Sequence, residues 1–441
     1  VAERRSAPTL AAAAATLPPE GTAAGSGLPS TSSRYGDLPF TEQIEFFRRK
    51  LNLPTESWTD IYEAEHDWAF VVAGANRDAL VADFREAVER AIADGATLED
   101  FRADFDRIVA THGWSYNGSA GWRSRVIYET NLRSSYQAGR YAQLQEGNWP
   151  YWEYVHADWV QHPRPLHIAW NGMVLRSDDP WWDTHFPPNG WGCQCTVRPR
   201  SAGDIKRLGL EISDTPEITW QTVEIGQNSP LGPRTVRVPE GIDPGFAYTP
   251  GKSRLTSAIP QESADVPGSA GGPGLPNRKP LSDLPSARPF SADDLLPQGL
   301  SQEDYAAAYL EKFGATLDQP AIFTDAIGER LVIGQDLFLD AKGNLKADKR
   351  GRGQYLPMLA EALRSPDEIW TRVEYLFSSS TAVVRRRYIA QFEIEGQDVP
   401  ALAVFEVGSD GWSGVTTFQG VAQSADDWRV GVRLYRRSEN D

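Results

Sequence analysis

Two cysteines and four of the six histidines lie in one short stretch of this sequence, and they are the first residues whose types could do chemistry. Cys193 and Cys195 flank a single residue, with His156, His162, His167 and His185 upstream. Two thiolates and two imidazoles are the donor set of a tetrahedral structural zinc, and an irregular segment gains most from such a staple. His167 and His185 are the ligands of choice beside Cys193 and Cys195. The C-x-C spacing is tighter than the usual C-x2–4-C, so a second reading stays open. In it the thiols are small buried hydrophobes and the histidines hydrogen-bond within a Trp-rich core. Neither H-E-x-x-H, G-x-x-x-x-G-K-[ST], a strand-linked G-x-G-x-x-G nor G-x-S-x-G occurs. A zincin protease, a nucleotide-binding protein and an α/β-hydrolase are therefore not expected.

The second candidate is cationic. Lys349-Arg350 and Arg352 sit in a Gly-rich loop; Arg385-Arg386-Arg387-Tyr388 enters an apolar run; Arg433, Tyr435, Arg436 and Arg437 lie near the end. Strand alternation puts Arg385 and Arg387 on one side and Arg386 on the other. RNA cleavage by the 2′-hydroxyl needs a base, an acid and a cation for the phosphorane. This region has no histidine, so Arg, Lys and Tyr would have to stabilise charge and move protons. The alternative is a set of solvated basic edges that guard strands from pairing.

These groups must be positioned by folded elements, and the composition allows for them. The chain has 441 residues, 40 % of them apolar, which suits two or more cores and excludes a wholly disordered chain. Its 44 Lys+Arg against 60 Asp+Glu leave a net charge of −16, which argues against coating duplex DNA with the whole surface. Two cysteines exclude a disulfide-rich scaffold, and no apolar run reaches the length of a membrane span. Residues 1–37, rich in Ala, Gly, Pro, Ser and Thr, read as a disordered arm and not as a signal peptide.

Helical periodicity follows. Thr41 caps a helix with Ile44, Phe47 and Leu51; a second helix spans about 55–74; a third, near 77–94, carries Leu80, Phe84, Val88 and Ile92. Thr97 caps a fourth with Phe101, Phe105 and Ile108, and Trp122 to about Glu146 forms a long fifth. From Tyr151 the texture turns to a strand and then to an irregular Trp-, Pro- and Gly-rich stretch up to Cys195, before a short helix capped by Ser201. A Pro/Gly/Ser-rich linker occupies about 251–290. In the last unit, Ser301 opens a helix, Tyr355 to Leu363 forms another, and Ser365-Pro366-Asp367-Glu368 reads as a capping box opening a third. Alternating apolar runs through 382–392, 401–405, 414–418 and 430–435 predict an antiparallel meander.

Two resemblances carry the functional reading. Residues of about 38–250 resemble the phage Mu F-like head morphogenesis (minor head protein) family. The match rests on Asp67-Trp68-Ala69-Phe70, Ile127-Tyr128-Glu129-Thr130-Asn131, Arg164-Pro165-Leu166-His167, Trp181-Trp182 and Pro187-Pro188-Asn189-Gly190-Trp191-Gly192-Cys193-Gln194-Cys195. This resemblance implies a minor capsid component of procapsid assembly that meets portal, scaffold and major capsid proteins, in the virion or in the host cytoplasm. Residues of about 320–437 resemble the phage-associated nuclease-like domain of the barnase–EndoU–colicin–RelE group, through Tyr355-Leu356-Pro357, Ser365-Pro366-Asp367-Glu368, Arg386-Arg387-Tyr388-Ile389 and Gly431-Val432-Arg433-Leu434-Tyr435-Arg436. That group implies metal-independent cleavage of RNA.

The expected protein is multidomain. A mainly α N-terminal bundle with an irregular Trp/Pro-rich lobe occupies 38–250. An α+β nuclease-like domain with an antiparallel sheet occupies 291–441. Arg387 and Arg433 would hold phosphate, and Tyr388 or Tyr435 would assist proton transfer. Structural zinc is the one cofactor considered, with no nucleotide cofactor and no membrane partner expected. Two alternatives assign the last domain to an RNA-cleaving effector delivered with phage DNA, or to a non-catalytic module that binds nucleic acid or protein.

Overall fold

The computed structural model describes residues 40–230, 232–255, 284–340, 343–348, 351–376, 381–396, 400–408, 411–419 and 428–438. The arm over 1–37, most of the linker (256–283) and Lys349-Arg350 lie outside the described residues.

Helices dominate the first part. α1 (Thr41–Arg48) starts at Thr41, although Phe40 is the residue at the cap and no side chain closes it. Two-residue strands β1 (Leu51–Asn52) and β2 (Ala69–Phe70) pair in parallel, where the sequence predicts one helix over 55–74. The helical pattern loses there because Asp60 turns the chain, its Oδ2 accepting from the amides of Glu56 and Ser57 at 2.8 Å. Only one turn of 3₁₀ helix, Glu63–Asp67, remains. α2 (Asp78–Ala93) buries Leu80, Phe84, Val88 and Ile92 as their four-residue spacing requires. α3 (Leu98–His112) begins with a reciprocal Thr97–Asp100 box and ends at Gly113, at φ 58°.

α4 (Ala120–Glu146) runs for 27 residues. Gly139 on it meets α1 closely enough that an added Cβ would stand 2.7 Å from the Gln43 amide nitrogen. That contact makes glycine the residue that fits. Phe47, Leu80, Phe84, Val88, Phe101, Phe105 and Ile108 fill one core between these helices. Burying each large side chain contributes about 1.5–3 kcal/mol.

The next segment is built on small strands and short helices. β3 (Tyr151–Val155), α5 (Pro165–Ala169), β4 (Val174–Arg176), α6 (Trp182–His185), β5 (Thr196–Arg200) and α7 (Ala202–Leu208) follow in order. β3 is the centre of a three-stranded antiparallel sheet, β4-β3-β5. Trp152, Tyr154, Trp181, Trp182, Phe186, Cys193 and Cys195 share an apolar cluster on it. β6 (Trp220–Ile225) and β7 (Arg234–Pro239) form a hairpin, and α8 (Lys252–Leu255) closes this part.

Sheets dominate the last part. β8 (Arg288–Phe290), α9 (Gln302–Glu311), the antiparallel pair β9 (Ala321–Thr324) and β10 (Arg330–Ile333), and α10 (Leu356–Arg364) precede the main sheet. It consists of β11 (Glu368–Leu376), β12 (Thr381–Ile394), β13 (Ala401–Gly408), β14 (Gly411–Gln419) and β15 (Val432–Arg436), in the order β14-β13-β12-β11-β15. β8 adds in parallel to the end of β12. These contacts between neighbours are antiparallel apart from β8, which is the expected α+β arrangement.

The predicted capping box is a correction. Ser365-Pro366-Asp367-Glu368 leads into β11, because Ile369-Trp370-Thr371 and Val373 are strand-favouring residues and the strand has partners on both sides. The two acidic groups serve the sheet instead. Asp367 accepts from the Gln391 amide at 2.7 Å and from Arg437 at 2.8 Å. One apolar cluster joins Leu53, Ile61 and Ala69 to Tyr309, Leu359, Tyr388 and Phe405.

Candidate functional site

The cysteines and one histidine converge. His167 Nδ1 lies 3.8 Å from the sulfur of Cys193 and 3.8 Å from that of Cys195, and all three residues are buried. The three ligand atoms lie within 4.8 Å of one another. A tetrahedral ion with Zn–S near 2.3 Å and Zn–N near 2.0 Å has N···S edges of roughly 3.6 Å, so the observed edges are near a ligand set.

Each element has a reason to be there. α5 starts at Pro165, suited to the first helical turn, and carries His167 inward. His167 Nε2 is 2.9 Å from the Gly241 carbonyl, which makes Nε2 the protonated nitrogen and leaves the Nδ1 lone pair toward the sulfurs. Gly241 has φ 87°, and a Cβ on it would stand 2.8 Å from the Trp170 ring. Only glycine presents that carbonyl without strain. α4 pins the C-x-C loop: Arg133 donates to the Gln194 carbonyl at 2.7 Å and Gln137 to the Cys195 carbonyl at 2.9 Å.

The sulfurs receive hydrogen bonds. The amides of Asn189 and Cys195 reach Cys193, and the amide of Ala157 reaches Cys195. Hydrogen bonding from Cys193, opposed by burial, holds the Cys195 thiol down. The same contact, together with burial, pushes Cys193 up.

His185 stands outside this group. Its Nδ1 lies 2.8 Å from the Thr184 hydroxyl and 3.2 Å from the Trp181 carbonyl, and its ring stacks on Trp181 at 4.2 Å. Burial lowers its pKa to about 4. His156 Nδ1 is taken by Asp158 at 2.9 Å, and His162 is exposed.

In the main sheet the four candidate catalytic residues divide between two faces. Arg387 shares its face with Ile389, Trp370, Leu402 and Val404; its neighbour Tyr388 points the other way. Arg387 Nε meets Glu406 at 2.5 Å. Tyr388 is fully buried and lies 2.7 Å from Asp325 Oδ2, and burial raises its pKa well above the phenol range. Arg433 pairs across from Trp370 on the Arg387 face, whereas Tyr435 pairs across from Ile369 and packs with the Tyr388 cluster.

Glu368 organises the Arg433 face. It is fully buried and accepts from Arg429 at 2.8 and 3.0 Å, Arg436 at 2.6 Å, Arg433 at 3.4 Å and the Trp370 indole at 2.7 Å. Residues three apart on a strand face opposite ways, yet Arg433 and Arg436 both reach Glu368 Oε1. A register shift between Ile369 and Trp370 inserts the extra residue that allows it. Burial, with the nearby cations Arg436 and Arg429, lowers the Arg433 pKa.

Glu368, Asn189 and Tyr154 were not singled out as site residues from the sequence. The strand-favouring run Ile369-Trp370-Thr371 was the signal that would have placed Glu368 at the start of β11.

Comparison with known proteins agrees with both resemblances. Residues 82–198 match the family of Phage Mu protein F like proteins, and residues 308–436 match the phage-Barnase-EndoU-ColicinE5/D-RelE like nuclease2 family. The chain is 36 % identical over 242 residues to "Putative capsid assembly protein F" of Escherichia phage Mu, covering 49 % of this chain and 55 % of that protein. It is 33 % identical over 191 residues to "Mu-like prophage FluMu F protein" of Haemophilus influenzae, covering 40 % of this chain and 46 % of that protein. This chain thus spans about half the length of the curated relatives it matches. No solved structure matches. The chain thus combines a segment similar to a phage protein family with a segment similar to a nuclease-like domain. More particularly, the chain is similar to Mu F-like proteins over 82–198 and to the nuclease2-like domain over 308–436. No described helix is long and apolar enough to cross a membrane.

Proposed function

We propose that this protein is a minor capsid component of procapsid assembly, with 38–250 as its head-morphogenesis domain and 291–441 as a ribonuclease-like domain. The observation that carries the first part is the buried His167/Cys193/Cys195 group, which sits inside the matched Mu F-like segment and is pinned by α4. Zinc there would cross-link a Trp/Pro-rich lobe to the long helix and give portal, scaffold or major capsid proteins a rigid docking part. The lobe exposes Trp159, Trp191 and Ile168, side chains suited to an interface. Co-assembly with portal and major capsid proteins tests this. Normal procapsids formed without the protein would end the reading.

The ribonuclease-like reading rests on the shared face of Arg387 and Arg433 within the matched domain. Arg433 lies 3.4 Å from Glu368 with its side chain 11 % exposed, so a phosphate would have to compete with that carboxylate for it. Tyr435, half-buried, and Tyr388, enclosed beside Asp325, are the tyrosines to test for proton transfer. Incubating the full chain with total tRNA, beside Arg433→Ala and Tyr435→Phe, decides among the outcomes. Cleavage lost in the variants supports the assignment; salt-dependent binding without cleavage supports a binding module instead.

A further inference from the structure

A cavity between β8 and α10 lies apart from both sites already described. It holds about 440 Å³, within the roughly 300–1,000 Å³ of small-molecule sites. β8 forms one wall by pairing in parallel with the end of β12, Arg288 beside Phe392 and Phe290 beside Ile394. Phe392 shares the Tyr388 side of β12, so the cavity lies on the face opposite Arg387. Ser291 then turns the chain, its Oγ accepting from the Asp293 amide at 3.2 Å, and Asp294 reaches the rim. α10 forms the facing wall with Pro357, Glu361 and Arg364, which share one side of the helix. Lys312, the residue that ends α9, completes the lining. β8 and the turn after it precede the matched residues 308–436, so one wall comes from outside the nuclease-like match.

The lining offers three kinds of contact. Its cations, Arg288, Lys312 and Arg364, outnumber its carboxylates, Asp294 and Glu361, in a chain whose net charge is −16. Arg288 is fixed in place. Its Nη2 donates to the Ser365 carbonyl, its guanidinium lies 5.0 Å from the centre of the Phe392 ring, and its Nε stands 3.6 Å from Asp367. No hydrogen bond among the described residues takes its other terminal nitrogen. Lys312 makes no ion pair among the described residues. Arg364 is held only by Glu361 at 3.3 Å, an exposed pair that an incoming anion can displace. The apolar part is flat: half-buried Phe290 meets Phe392 edge-on at 5.6 Å, with the Pro357 ring opposite.

We propose that this cavity binds a nucleoside monophosphate, either free or at the end of an RNA strand. An inorganic anion would leave the aromatic wall unused, and an apolar ligand would leave the cations unused. A nucleotide engages both. Its phosphate meets Lys312, Arg364 and the open nitrogen of Arg288, while its base lies against Phe290. The ribose hydroxyls donate to Asp294 or Glu361, which gives the two carboxylates a part in recognition. The site does not depend on the ribonuclease-like reading, which concerns the other face of the sheet.

The test is calorimetric titration of the full chain with AMP, beside adenosine, inorganic phosphate and a 5′-phosphorylated oligoadenylate. We expect one AMP per chain, with adenosine and inorganic phosphate each at least about tenfold weaker. The double variant Lys312→Ala with Arg364→Ala removes two exposed side chains, so it should fold. It should bind AMP at least about tenfold more weakly. Arg433→Ala should bind AMP as the wild type does. Oligoadenylate binding as tight as that of AMP would support the strand end as the source, and weaker binding would support the free nucleotide. Inorganic phosphate binding as tightly as AMP, or no saturable AMP binding, would overturn the proposal. So would a loss in Arg433→Ala with none in the double variant, an outcome that would leave the ribonuclease-like reading standing.

Discussion

Two buried polar clusters, one in each part of the chain, solve the problem of burial in opposite ways. Around Glu368 every acceptor lone pair meets an arginine or an indole N–H, so the cluster is complete within the protein. Around His167 one ring nitrogen and two sulfurs converge within 4.8 Å, and backbone N–H groups support the sulfurs from outside. A carboxylate already matched by arginines reads as scaffold, whereas three converging ligand-type atoms are an arrangement that can take a metal ion.

The sharpest way to break this contrast is to deny the His167/Cys193/Cys195 group any metal ion. Treating the full chain with a strong chelator, or replacing both cysteines (Cys193→Ser with Cys195→Ser), should destabilise the first part. The expected scale is that of structural zinc sites, on the order of 10 kcal/mol. Calorimetry and metal analysis check it; an unchanged melting profile would make the group an ordinary core cluster.

Glu368→Ala should be the next largest change. It leaves Arg429 and its neighbours buried without their carboxylate, for a loss of about 3–5 kcal/mol by urea unfolding. Chelator should not alter that loss, because this cluster needs no metal.

A third prediction concerns pH at Asp67, which is fully buried. Burial raises its pKa to about 6, against hydrogen bonds from Gly251 and Ser253 and the charge of Lys50. A raised carboxyl pKa means the folded state binds the proton more tightly. Its contribution is fully present below the unfolded pKa near 4 and is lost as pH rises through about 6. The loss is roughly 2–3 kcal/mol. Asp67→Asn should flatten the stability curve between those two values in denaturant titrations at fixed ionic strength.

The smallest effect belongs to the pair across the two parts. Arg386 meets Asp78 at 2.7 Å and Glu329 at 3.8 Å, and the Glu329 carboxylate also accepts from the Asp78 amide. Asp78 is half exposed, so Asp78→Ala should cost about 1 kcal/mol or less, and less again in high salt. A loss several times larger would show that the two parts are more tightly coupled than one screened pair allows.

Much of the fold is legible in the residues. Leu80, Phe84, Val88 and Ile92 place α2, the Thr97–Asp100 and Ser201–Asp204 boxes place two helix starts, and the alternation at 385–392 places β12. Where two local signals competed, the stronger context won. At 365–368 the capping chemistry gave way to a strand with partners on both sides, and at 55–74 the helical spacing gave way to Asp60-centred turns. The site was half legible. Cys193, Cys195 and His167 were visible as donor types, but which histidine joins them depends on rings stacked through Trp170 and Trp181.

By itself the sequence determined the donor inventory, the helical and alternating stretches, and the two family signatures. It did so because side-chain chemistry and short-range periodicity are properties of neighbouring residues. Only the tertiary structure decided that His167 and not His185 faces the thiols, that Tyr154 and Asn189 stand beside them, and that Arg387 and Tyr388 look to opposite faces of a sheet. Those outcomes depend on contacts between residues far apart in the chain, such as His167 with Gly241 and Glu368 with Arg429, which no local pattern encodes.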